Sequence, residues 1–284
     1  MSFAPYSWAS ADGLTLHARD YAPAGEARRL PVICLHGLTR NGRDFEMLAP
    51  WIAARGRRVL AVDVRGRGLS ARDPNASYWL PTYAEDVRLM AETLGLERAV
   101  FVGTSMGGLI TMELAALAPA LVAAAIINDV GPVLAAEGLA RIGSYVGNAP
   151  VFDNWDEATA YLERQNGHAL PHYKPADWQA MARRMFREEG GRIAADYDPA
   201  IADAFGTGPL PADPWERWHG LANGRPLLLL RGGLSDLLTA GDATRMVTGH
   251  DQARLREVPN VGHAPMLDEP EALAAIGAFL DAVA

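Results

Sequence analysis

Cysteine occurs once in this 284-residue chain, at Cys34, so no intramolecular disulfide is available and nothing calls for an oxidising compartment. Because Cys34 sits in the apolar run Leu30 to Leu35, it is expected as a buried strand residue. Long apolar runs are also missing. Leu121 to Ile127 and Pro226 to Leu230 fall far short of the about 20 residues that a bilayer-spanning helix needs, so no membrane partner is expected. The first six residues carry no basic segment leading into an apolar one, which argues against a signal peptide and for a cytoplasmic protein. An excess of positive charge is absent as well: the formal net charge is -8, which disfavours a nucleic-acid groove. No histidine, cysteine and carboxylate residues fall at metal-ligand spacing, so neither a metal nor another cofactor is expected. Finally, Arg65-Gly66-Arg67-Gly68 lacks the third glycine and the following helix of a dinucleotide fingerprint, and is expected to be a tight surface turn.

What is present is ordinary globular material, 49% hydrophobic and 21% charged, enough for one large sheet-based core or two unequal units. Alternation around Asp12-Gly13 predicts a β-hairpin. Apolar strands then alternate with amphipathic helices: strands at Leu30 to Leu35, Arg58 to Asp63, Val100 to Thr104 and Ala123 to Asn128, with a helix from about Thr82 to Leu94. From 132 to 223 the alternation stops, and proline, tryptophan and tyrosine punctuate helix formers. That stretch is too long for a loop and predicts a helical cap inserted into a core made of 1–131 and 224–284. Strands at Arg225 to Arg231 and Arg254 to Val258 and a closing helix from about Glu269 complete the pattern. The expected fold is α/β, a doubly wound and mostly parallel sheet, whose reactive groups collect at the carboxyl ends of its strands. His36, Asp63, Ser105, Asp129, Asp236 and His263 all follow predicted strands.

Among these, Gly103-Thr104-Ser105-Met106-Gly107 stands between a strand and a helix. A serine on so tight a turn is strained and lifted clear of the sheet, and the flanking glycines leave it room: this is the pattern of a nucleophile elbow. His263 is the favoured base, because the short loop Pro259 to Gly262 presents it after the last strand. His17 lies in the hairpin and His250 ends a helix. His168, His172 and His219 lie in the cap, and His36 is expected to shape the loop after the early strand.

Taken together, His36-Gly37-Leu38, Asp63-x-Arg65-Gly66-x-Gly68-x-Ser70, the Ser105 elbow, Gly232-Gly233-Leu234-Ser235-Asp236 and Gly262-His263-Ala264-Pro265 resemble the α/β-hydrolase superfamily over essentially the whole chain. Within it, the chain looks like the capped serine esterases and their relatives, the enol-lactonases and carbon–carbon bond hydrolases. The resemblance implies Ser105 as nucleophile, Asp236 as acid and His263 as base, with Asp129 as the rival acid, because some relatives carry it after the preceding strand. It also implies an oxyanion hole from the backbone N–H groups of Leu38 and Met106. The expected substrate is a small-molecule ester or lactone with a small to medium acyl or aryl group, met by cap residues such as Tyr145, Trp155 and Met185. Lactone and carbon–carbon hydrolysis, acyl transfer and a non-catalytic receptor are the alternatives. The sequence leaves monomer and homodimer both open.

Overall fold

The computed structural model describes residues 2–26, 29–148, 150–205 and 213–283. The Asp12-Gly13 hairpin forms as expected, joining antiparallel strands β1 (Ala4–Ala9) and β2 (Thr15–Tyr21). Then come β3 (Val32–Leu35), a 3₁₀ turn at Gly42–Phe45, α1 (Leu48–Ala53), β4 (Val59–Asp63), α2 (Leu80–Thr93), β5 (Ala99–Thr104), α3 (Met106–Leu117) and β6 (Val122–Asn128). Before the sheet resumes, the chain forms α4 (Ala136–Tyr145), α5 (Trp155–Asn166), α6 (Pro175–Met185), β7 (Phe186–Glu189), β8 (Arg192–Ala195), α7 (Ile201–Ala204) and α8 (Pro214–Ala222). It closes with β9 (Leu227–Gly232), α9 (Ala240–Val247), β10 (Ala253–Val258) and α10 (Pro270–Ala282).

Eight strands make one sheet in the order β1-β2-β4-β3-β5-β6-β9-β10, parallel from β4 to β10 and antiparallel at the β1–β2–β4 edge. The apolar runs dictate this arrangement. Every residue of β3 and β4 is buried, as strands with helices on both faces must be, and Cys34 is buried among them. Strand order reverses at β3, which lies between β4 and β5, and that reversal opens a crevice at the carboxyl ends where Leu35 pairs with Gly103.

Two expectations need correcting. The 132–223 stretch carries no strand signal in sequence, yet β7 and β8 pair within it, and Phe152 bridges to Ile193 beside them. Short strands with charged outer residues (Phe-Arg-Glu-Glu) are pinned by the edge-on packing of Phe152 and Phe186 at 5.4 Å rather than by their own alternation. In addition, the Arg65 to Gly68 segment is no surface turn. Arg65 and Arg67 are each 1% exposed, Arg65 pairing with Asp12, Asp73 and Asp86. Both glycines are there because a Cβ at Gly66 would stand 2.7 Å from the Tyr78 ring and one at Gly68 2.5 Å from the Asp63 carboxylate.

The inserted stretch is tied to these same loops. Asp198 N–H donates to Gly66 O (2.7 Å), Gly68 N–H to Asp196 O (3.0 Å), Asn41 Nδ2 to Arg184 O (2.9 Å) and Gly262 N–H to Ala169 O (2.7 Å). At its far end, α8 packs on α3, and Trp218, fully buried, donates to Met246 O. Residues 149 and 206–212 of this stretch, and the terminal residues 1 and 284, lie outside the described residues. No helix among the described residues is long and apolar enough to cross a membrane.

Candidate active site

Ser105 stands between the end of β5 and the start of α3 with φ 52° and ψ -118°, a left-handed conformation that a serine rarely adopts. Its neighbours enforce it. A Cβ on Gly103 would fall 2.4 Å from Gly107 O, and one on Gly107 only 2.0 Å from Leu35 O, so strand, turn and helix close up only without side chains there. Gly107→Ala is therefore expected to destabilise the protein by about 3 kcal/mol or more, measured as a lowered denaturation midpoint.

The Ser105 Oγ lies 2.9 Å from His263 Nε2, and His263 Nδ1 lies 2.9 Å from Asp129 Oδ2. A carboxylate only accepts, so Nδ1–H donates to Asp129 and Nε2 is left to accept from the serine hydroxyl. Asp129 is fully buried at the end of β6, and Gly232 N–H donates to its other oxygen at 2.9 Å, which aims Oδ2 at the imidazole. Asn128, one residue earlier, donates to Pro265 O (2.8 Å) and Thr104 Oγ1 (3.1 Å), while its own O accepts from Ser105 N–H (2.9 Å). One strand end thereby fixes both the serine turn and the histidine loop.

Asp236, the acid preferred from chain order, is not at the histidine. Its carboxylate accepts two hydrogen bonds from Arg141, at 2.5 and 2.8 Å, which hold its pKa below the usual carboxylate range. The geometric reason is that Asp129 reaches His263 Nδ1 from the neighbour of β5, with its second oxygen anchored, whereas Asp236 faces α4. Both residues follow apolar strands, and nothing in their local sequence separates them.

The loop after β3 abuts the serine: a Cβ on Gly37 would lie 3.6 Å from Ser105 Cβ. His36 shapes this loop. It is fully buried, its Nδ1–H donates to Gly37 O (2.8 Å), and its Nε2 accepts from Val64 N–H (3.0 Å). Burial pushes its pKa down to about 4, so the ring is neutral at pH 7. Unfolding below the unperturbed value near 6.5 then takes up a proton. Stability is full above that pH, falls as pH drops toward 4 and levels below it, and wild type should lose about 3 kcal/mol more than His36→Gln between pH 7 and 4 in urea titrations.

Arg67 was not evident from sequence, yet its Nε donates to Leu38 O (3.0 Å) and its Nη1 to Arg65 O (2.7 Å) and to Tyr83 Oη (2.8 Å). Its carbonyl held there, Leu38 follows the glycine that abuts the serine and shares the cavity wall with it. Met106 opens α3, so its N–H has no acceptor within the helix.

Ser105 and His263 open into a cavity of about 120 Å³ bordered by Leu38, Arg40, Tyr145 and Met185. Tyr145 and Met185 thus lie where the sequence suggested. Trp155 does not, being outside the lining with the Arg183 guanidinium 3.8 Å over its ring. Of the other histidines, His17 pairs with Asp63 and His219 with His250, away from the cavity. Among the described residues no group of three histidine, cysteine or carboxylate side chains could hold a metal ion. A hydroxyl joined through an imidazole to a buried carboxylate can perform nucleophilic chemistry on a carbonyl carbon.

The model of the alpha/beta hydrolase family matches residues 32–276. The chain belongs to that family. A crystal structure of an alpha/beta hydrolase from Novosphingobium aromaticivorans superposes with a TM-score of 0.92 at 43% identity, covering 99% of each chain. The 3-hydroxybutyrate-oligomer hydrolase of Cupriavidus necator is 34% identical over 273 residues, 91% of each protein. The 2-(acetamidomethylene)succinate hydrolase of Mesorhizobium japonicum is 27% identical over 88% of each. The doubly wound sheet expected from the strand pattern is the sheet of this family, and this alpha/beta hydrolase is an enzyme with hydrolase activity.

Proposed function

We propose that this hydrolase cleaves carboxylic esters of small to medium acyl groups through an acyl-enzyme on Ser105. The observation that carries the reading is the unbroken hydrogen-bonded row Ser105–His263–Asp129, with the serine facing the cavity. His263 takes the hydroxyl proton as Ser105 Oγ attacks the carbonyl carbon, and returns it to the departing alcohol. Asp129 holds the ring in the needed tautomer and stabilises the imidazolium. The carbonyl oxygen, negative in the tetrahedral intermediate, is met by the N–H groups of Leu38 and Met106, each worth about 3 to 4 kcal/mol in the transition state. Water activated by His263 then attacks the acyl carbonyl and releases the acid.

In this reading the cap is the part of 132–223 that borders the cavity, α4 to α6 with the β7–β8 hairpin. A volume of about 120 Å³ suits a short acyl chain, since a cavity of ~150 Å³ takes a benzene ring. The relative named for hydroxybutyrate oligomers, whose units are joined by esters, points the same way. Hydrolysis of p-nitrophenyl esters from acetate to decanoate tests it. Turnover should peak at short chains; no turnover on any of them would contradict ester hydrolysis.

A further inference from the structure

The cavity beside Ser105 holds a guanidinium that ester cleavage does not use. Arg40 Nε donates to both oxygens of Asp44, at 3.0 and 2.8 Å, but the partners of its terminal nitrogens among the described residues are thioethers: Met185 Sδ at 3.0 Å from Nη1 and Met266 Sδ at 3.4 Å from Nη2. Sulfur of this kind is a weak acceptor, so the outer edge of the fork is poorly served although the side chain is only 15% exposed. The nucleophile is close: the point where a Gly37 Cβ would stand is 3.5 Å from Arg40 Cγ and 3.6 Å from Ser105 Cβ. Met266 lies three residues beyond His263, so the guanidinium spans from the serine side of the cavity to the histidine loop. Arg40 and Arg141 border the cavity, each paired with a carboxylate, Asp44 and Asp236, and Arg40 keeps both of its terminal nitrogens outside that pair.

We propose that Nη1 and Nη2 of Arg40 receive a substrate carboxylate, so that the preferred substrates are esters bearing a free carboxylate a few bonds from the scissile carbonyl, the 3-acyloxy acids being the simplest. The proposal rests on the ester reading above. Asp44 fixes the fork from behind, so a carboxylate docks end-on and bidentate without disturbing that pair, exchanging two sulfur contacts for two charge-assisted hydrogen bonds. A lysine offers no such fork. If Arg40 were only a strut joining its loop to α6, substrate charge would make no difference.

The test compares 3-acetoxybutyrate with its methyl ester as substrates of the purified full chain, following acetate release. Wild type should favour the free acid in kcat/KM by about tenfold or more, Arg40→Lys should keep part of that preference, and Arg40→Met should bring the ratio to one or below. A ratio near one in wild type, or the same ratio in wild type and Arg40→Met, overturns the carboxylate subsite. Should Arg40→Met fail to fold, Arg40→Lys decides, and a preference there equal to that of wild type overturns the subsite. 3-Hydroxybutyrate should inhibit p-nitrophenyl butyrate hydrolysis at a concentration at least about tenfold lower than 3-hydroxybutyramide, and equal inhibition overturns the proposal. Turnover of neutral esters without charge preference removes only the subsite, whereas no ester turnover at all removes the ester reading with it.

Discussion

Ser105→Ala is expected to lower ester turnover by about a millionfold, the loss seen when a triad nucleophile is removed, while the denaturation midpoint changes little. The change deletes one oxygen and leaves the turn intact. Ser105 N–H still donates to Asn128 O, and the glycines that admit the turn are untouched. The residue adopts φ 52° because the surrounding backbone imposes it, so alanine meets the same constraint with the same Cβ. Steady-state turnover of p-nitrophenyl butyrate together with a urea titration separates the two effects. Loss of activity accompanied by loss of fold would leave the serine a structural role instead.

The second large effect distinguishes two aspartates. Asp129→Asn should lower kcat by about 10⁴, since an amide at the Oδ2 position can donate to the ring nitrogen and favour the wrong tautomer. Asp236→Asn should keep turnover within about tenfold, because what it weakens is the bidentate pair with Arg141, a partly exposed contact worth little. The reverse ranking would place the acid after β9 and contradict the role assigned to Asp129.

That pair of residues also shows how far sequence reaches. The fold was legible because buried parallel strands are written as continuous apolar runs (Val32 to Leu35, Val59 to Val62) and because glycines mark the elbow where side chains would collide. His263 was legible from its short loop after the last strand. The choice between Asp129 and Asp236 was not, since each follows a strand and only three-dimensional placement decides which faces the ring. Arg67 is illegible in sequence for a related reason. Its partners Leu38 O and Tyr83 Oη lie 29 and 16 residues away, and an arginine flanked by glycines reads as an exposed turn until those partners appear. The β7–β8 hairpin is held by aromatic contacts from Phe152 and Tyr161, so no alternation within the strands announces it.

The most direct test of the account is covalent capture of the nucleophile. Purified protein would be treated with diethyl p-nitrophenyl phosphate, digested and read by mass spectrometry alongside residual esterase activity. The account predicts one diethylphosphoryl group per chain, on the peptide containing Ser105, in proportion to activity lost, and no adduct in His263→Ala over the same period. Complete inactivation with Ser105 unmodified, or esterase activity persisting once Ser105 is fully modified, would contradict it.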